Sequence, residues 1–356
     1  MTSQRFVFLD GCRAVPAVVV MLGHALAPFR PDPWPLSGLA VDFFFVLGAF
    51  VIMQAYSARV LGGMSLGAFL KARLKRLYPL HFLALLLGFL LFALKDGVGF
   101  EAMMSFALNL LFLPSPYSLA EGWSSGIVFN PSAWTLLFQM LANMVWWLLL
   151  VRMHVILQWF ACVVLGILNF AQMLVSGDLW GGEFFENSHL GVLRALFPFT
   201  LGVCLWQLWR RRPASVVSGQ RGLWLGALLG GVLLTCFIAP GLPGDGDAAF
   251  KMLVITVVFP VLIYLGAGIE LRGPIARVFA LGGQISYALY ITHYCVVRVM
   301  SVAWRMLGAD DAWFLPWCAL ELAVAVMFAW LLTRFFEVPL REGLGALHRR
   351  WRTAAV

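Results

Sequence analysis

LDGCRAVPAVVVMLGHALAPF, residues 9–29, opens the first long apolar run of the chain and sets an ionisable imidazole inside it. A helix rises about 1.5 Å per residue, so His24 lies roughly 16 Å along the axis from Arg13. With Arg13 at one membrane face, His24 falls near mid-depth of a hydrocarbon layer about 30 Å thick. An ionisable side chain at that depth is expensive and points to function, although a polar residue that only bonds a neighbouring helix gives the same pattern.

The rest of the chain decides that this run spans a membrane. Its 356 residues are 62% hydrophobic and only 12% charged, with mean hydropathy +0.89; ordinary soluble domains carry about 25% charged residues. Apolar runs of spanning length fall at about 6–28, 36–57, 77–95, 132–152, 155–175, 190–209, 222–240, 250–268, 282–304 and 313–334. Charges in the connections test this count. Arg5, Arg13, Arg59, Lys71, Arg73, Lys75, Arg76, Arg152, Arg210 to Arg212, Arg221, Arg272, Arg277 and the tail arginines all fall on one side if there are ten helices. The opposite connections hold Arg30 and Lys95 but are otherwise acidic: Asp178, Glu183, Glu186, Asp245, Asp247, Asp310 and Asp311. The fold expected is an all-α polytopic bundle of about ten helices, one domain over 1–356, with both termini cytoplasmic.

The net charge of +8 is distributed as short clusters between apolar runs. That pattern suits anionic head groups of membrane lipids and argues against nucleic acid as a partner. No cleavable signal is expected at the amino terminus. The six cysteines, at 12, 162, 204, 236, 295 and 318, lie in apolar segments without a CxxC pair. They read as small buried hydrophobes, not disulfides or metal ligands, and no metal site is expected. The connection 96–131 is too long for a turn. FEAMMSFALNLLFL, 100–113, suits a re-entrant or interfacial helix leading into PSPYSLAEGWSSG, and such a loop is often a lid or binding element.

Five patches share one order: RFVFLDGCRAVPAVVVMLGHA (5–25), VDFFFVLGAFVI (41–52), KARLKRLYPLH (71–81), NPSAWTLLFQMLAN (130–143) and ISYALYITH (285–293). Together they resemble the acyltransferase-3 family of polytopic membrane acyltransferases, over nearly the whole chain. The resemblance implies transfer of an acyl group, usually acetyl from acetyl-CoA. The usual acceptor is a hydroxyl of a cell-surface carbohydrate or glycolipid, and the expected location is a bacterial cytoplasmic membrane. Acyl-CoA is then a co-substrate, and no cofactor is held permanently.

The family's Arg-x10-His motif maps onto Arg13 and His24, and its Arg-x-x-Arg motif onto Arg73 and Arg76. The chemistry agrees with both. Moving an acyl group onto an alcohol needs a base near neutrality, and imidazole suits that role; a transient acyl-histidine is equally possible. Arg73 and Arg76, at i and i+3, share a helical face if the helix reaches that far, and guanidinium forks match the phosphates of coenzyme A. The competing reading of the same cluster is an anchor on anionic lipid.

Other family positions fall on Asp10, Asp42, Gln139, Tyr287, Tyr290, His293 and Glu337. Asp10 and Asp42 could orient His24 or an arginine, or pair with Arg13. Tyr290 and His293 share a helical face and could line the cavity, or belong to an aromatic belt. Glu337 could serve the site or bridge to Arg334 or Arg341. His81 reads as a satisfied interfacial residue. Three departures stand out: Gly48–Ala49 where Ser-Gly is usual, Gln139 where glutamate is usual, and Cys12 and Ala14 for leucine and glycine. Gln139 keeps an acceptor but no charge. A transporter or flippase using the same cavity, or a member that has lost catalysis, is the rival to the enzyme.

Overall fold

The computed structural model describes residues 6–30, 34–120, 123–177, 181–211, 216–243, 245–308 and 310–343. Ten of the described helices are long and apolar enough to cross a membrane. They are α1 (Val7–Leu26), α2 (Leu39–Leu61), α3 (Leu66–Asp96), α5 (Pro131–Leu150), α6 (Val155–Ser176), α7 (Leu190–Trp209), α8 (Gly219–Ile238), α9 (Gly246–Gly266), α10 (Gly273–Leu307) and α11 (Phe314–Gly343). A shorter helix, α4 (Phe100–Leu110), stands in the long connection where a re-entrant or interfacial element was expected. Among the described residues the only β-pairing is an isolated bridge between Val217 and Ile269.

Three helices overrun their expected limits. α3 begins at Leu66, not near 77, α10 runs from Gly273, not from 282, and α11 reaches Gly343, not 334. The extra stretches carry charge (Lys71, Arg73, Lys75 and Arg76; Arg277; Glu337, Arg341 and Glu342), which ends a hydropathic run before the helix ends. The extension of α3 matters, because it puts Arg73 and Arg76 on a helix.

α2 and α7 form the centre of the bundle, with α6 and α11 at its periphery. Their crossing rests on Gly202 of α7: a Cβ there would sit 2.8 Å from Ala49 Cβ and would collide with the Val46 carbonyl of α2. Gly283 plays the same part between α10 and α1, where a Cβ would come 2.7 Å from Asp10. Small residues permit such approaches, and in lipid van der Waals packing is the main force holding helices together. α1 itself breaks at Arg13, between Val7–Cys12 and Ala14–Leu26. The described ends of consecutive spans gather Arg59, Arg73, Arg76, Arg152, Arg210, Arg272 and Arg341 at one end of the bundle, the arginine-rich end.

Opposite it, α4 is pinned to α3 and to the segment that follows. His81 Nε2–H donates to the Asn109 carbonyl (3.0 Å), and Asn109 Nδ2 donates to the carbonyls of Leu113 and Gly126 (3.0 Å each). His81 is fully buried, and only its Nε2 is bonded; Nδ1 has no hydrogen-bond partner. Trp123 closes the connection, with the Arg298 guanidinium 3.3 Å from its ring centre. All six cysteines are buried and unpaired.

Candidate active site

Two cavities lie along the bundle, one behind the other. The first, a cavity of about 110 Å³, opens among Arg13, Arg73, Arg76, Gly48, Gln139, Thr135, Ser286, Tyr287 and Tyr290. Arg13 lines it from the junction of the two segments of α1, while Arg73 and Arg76 share a face of the extended α3. Arg73 is buried, whereas Lys71 of the same cluster is exposed. Arg13 and Arg73 each lie within electrostatic reach of Arg76. The carboxylates that reach Arg13 are Asp10 and Glu337.

Glu337 sits in a wide π turn, Thr333–Glu337. One of its oxygens accepts from Arg341 at 3.4 Å, and the other is buried without a hydrogen bond; Arg341, not Arg334, is its partner. Tyr287 donates to the Leu77 carbonyl at 2.6 Å, tying α10 to α3. Three guanidiniums facing one cavity against two carboxylates leave it cationic, as a site for a polyanion requires.

The second cavity, about 280 Å³, is lined by His24, Ser37, Trp34, Ser132, Trp134, Glu183, Arg194 and Tyr290. His24 stacks on His293, with ring centres 5.3 Å apart, and meets Tyr294 edge-on at 5.2 Å. His293 is held from two sides: Nδ1–H donates to the Leu289 carbonyl (3.2 Å), which leaves Nε2 to accept from the Ser132 hydroxyl (3.3 Å). Asn130 Nδ2 donates to the Ile291 carbonyl at 2.9 Å, locking the start of α5 to α10. Tyr290 and Val41 line both cavities and form the wall between them. The Tyr290 hydroxyl lies 3.2 Å from that of Thr135, within hydrogen-bonding distance.

Of the two aspartates singled out in the sequence, Asp42 orients an arginine, but that arginine is Arg194 of α7. Their ion pair measures 3.5 Å and is buried. Arg194 also donates to the carbonyls of Gly38 (3.0 Å) and Gly181 (3.3 Å), and lies over the Trp134 ring. Asp10 stays beside Arg13, roughly 20 Å along α1 from His24 at about 1.5 Å per residue. It serves the arginine end, not the imidazole.

A family model for an acyltransferase domain matches residues 6–334. The chain belongs to the acyltransferase-3 family. It is similar to "Protein 2 in picA locus" of Rhizobium radiobacter, 38% identical over 159 residues, which cover 40% of this chain and 81% of that protein. No solved structure matches. It is thus an acyltransferase with the helices of a multi-pass membrane protein.

In this acyltransferase, residues from widely separated segments complete the site. Arg13, Arg73, Arg76, Gln139 and Tyr290 meet around the first cavity, while His24 and His293 meet at the second. Sequence reasoning passes over Ser132, Thr135, Tyr294, Trp134 and Arg194. Arg194 carried a usable signal: it interrupts the apolar run LGVLRALFPF (190–199) as His24 interrupts its own. The others are ordinary helix residues whose importance comes only from what faces them.

Proposed function

We propose that this protein moves an acyl group, most simply acetyl, from acyl-CoA to a hydroxyl of a cell-surface carbohydrate or glycolipid. The observation that carries this reading is the pair of cavities. One is cationic and suits the phosphates of coenzyme A; the other holds His24; a wall formed by Tyr290 and Val41 separates them. Arg73 and Arg76 hold the phosphates, with Arg13 beside them, and the thioester extends past Tyr290 toward His24. The arginine-rich end faces the cytoplasm, where acyl-CoA is made, and the acceptor enters from the opposite end.

His24 takes the proton of the acceptor hydroxyl as its oxygen attacks the thioester carbon. The carbon–sulfur bond then breaks, and the imidazolium returns the proton to the departing thiolate. The products are an ester and free coenzyme A. Ser132 and the Leu289 carbonyl hold the His293 ring against that of His24.

Thiol release from acetyl-CoA by purified protein in liposomes, with a crude surface-glycan fraction as acceptor, tests the reading. Release that depends on acceptor and on His24 supports it. Wild-type release no greater than that of His24→Ala, with any acyl-CoA, overturns it and favours a transporter.

A further inference from the structure

The hydroxyls lining the arginine-lined cavity are committed. Thr135 and Tyr290 lie within hydrogen-bonding distance of each other, Tyr287 donates to the Leu77 carbonyl, and Ser286 donates to the Gly283 carbonyl (3.0 Å). The three arginines can only donate. Gln139 is different. Its Oε1 faces Gly48 of α2, where even an added Cβ would stand 3.6 Å away. Its Nε2 is buried and makes no hydrogen bond. A buried N–H is costly to leave unmatched, and the terminal torsion that aims the amide is soft. The bare backbone at Gly48 leaves space beside it.

Its depth says what it meets. Gln139 lies seven residues along α5 from Ser132, roughly 10 Å at the helical rise of about 1.5 Å per residue, and Ser132 marks the level of the His24–His293 pair. The reacting thioester cannot touch both levels. Between the phosphates and the sulfur of coenzyme A lies the pantetheine arm, which carries two secondary amides.

We infer that Gln139 binds this arm through its amides: Nε2–H donates to the carbonyl of one, and Oε1 accepts the N–H of the other. A carboxylate at residue 139 could perform only the second half of that exchange, and a side chain at residue 48 would narrow the slot. The inference rests on acyl-CoA being the donor.

The test compares wild type with Gln139→Met, Gln139→Leu and Gln139→Glu, using acetyl-CoA, coenzyme A and acetyl-pantetheine, which has the arm but no phosphates. Each variant should raise KM for acetyl-CoA about tenfold with kcat within twofold, the mark of lost uniform binding. Coenzyme A itself should bind more weakly by the same factor, since it carries the same amides. With acetyl-pantetheine the Gln139 effect should persist, while the effects of Arg73→Ala and Arg76→Ala vanish. Unchanged KM and unchanged coenzyme A binding in all three variants would overturn the inference. So would a fall in kcat with coenzyme A binding intact, which would move Gln139 to the acyl carbonyl. Gln139 results of that kind with intact Arg73 and Arg76 effects sink this inference alone; a wild type that binds no coenzyme A sinks the donor reading with it.

Discussion

His24 and His293 stack with ring centres 5.3 Å apart and planes 23° from parallel, yet only His293 is tied by hydrogen bonds. Both nitrogens of the tied ring are engaged, by the Leu289 carbonyl and the Ser132 hydroxyl. His24 makes no hydrogen bond to any described residue and lines the second cavity, so its nitrogens are open to a substrate. The pair therefore divides into a tied ring and an untied one.

The first expectation follows from that division. His24→Ala should lower acyl transfer by about 10²–10⁴-fold, the usual scale of a lost general base, with detergent melting temperature near wild type. Ser132→Ala, which removes one tie on the neighbouring ring, should cost less than about tenfold. Thiol-release rates of the two purified variants check this; equal effects would remove the distinction between the rings.

At the other cavity, Arg73→Ala and Arg76→Ala should each weaken acetyl-CoA binding about ten- to hundredfold, because a hydrogen bond to a charged group is worth roughly 1.5–3 kcal/mol. Lysine should rescue partly, keeping charge without the planar fork. Lys71→Ala should change little, since Lys71 is exposed outside the cavity. Calorimetric titration with acetyl-CoA distinguishes these outcomes. Equal, mild effects at all three positions would reduce the cluster to a lipid anchor.

The number of spans and the placing of Arg73 and Arg76 on one helical face were legible in the sequence, because length, hydropathy and basic spacing are local properties. The partner of Asp42 was not. Arg194 lies on another helix, 152 positions on, and periodicity tells which residues point inward without telling which of them meet. The contact of Gly48 with Gln139 was hidden for the same reason. Two separate departures from the family pattern, one on α2 and one on α5, prove to be neighbours across a cavity. The start of α3 was misjudged because its first turns are basic.

The Asp42–Arg194 pair should be structural. Asp42→Asn or Arg194→Gln strands a buried charge, and each should cost about 3–5 kcal/mol of stability. The double variant should lose less than the sum of the two, since neither charge is then left alone. Thermal unfolding of the three variants in one detergent measures the coupling. Additive losses would mean that the 3.5 Å contact contributes nothing as a pair.

Topology is checked by labelling from outside with an impermeant thiol reagent. Ser118→Cys should be modified and Gly62→Cys spared; both positions are exposed, and the native cysteines are buried and should give little background. The reverse pattern would turn the bundle over and move the arginine-lined cavity to the wrong compartment for acyl-CoA.

The wall shared by Tyr290 and Val41 has a consequence for the cell as well as for the reaction. Where two water-accessible hollows approach from opposite ends of a membrane protein, the insulation of the bilayer shrinks to the side chains between them. A passage of the kind proposed for the thioester must stay too tight for ions and protons to follow. Changes at these two positions should therefore bear on leakage as well as turnover. A variant that opened the wall to admit a bulkier acyl group would discharge the membrane potential before it gained a substrate.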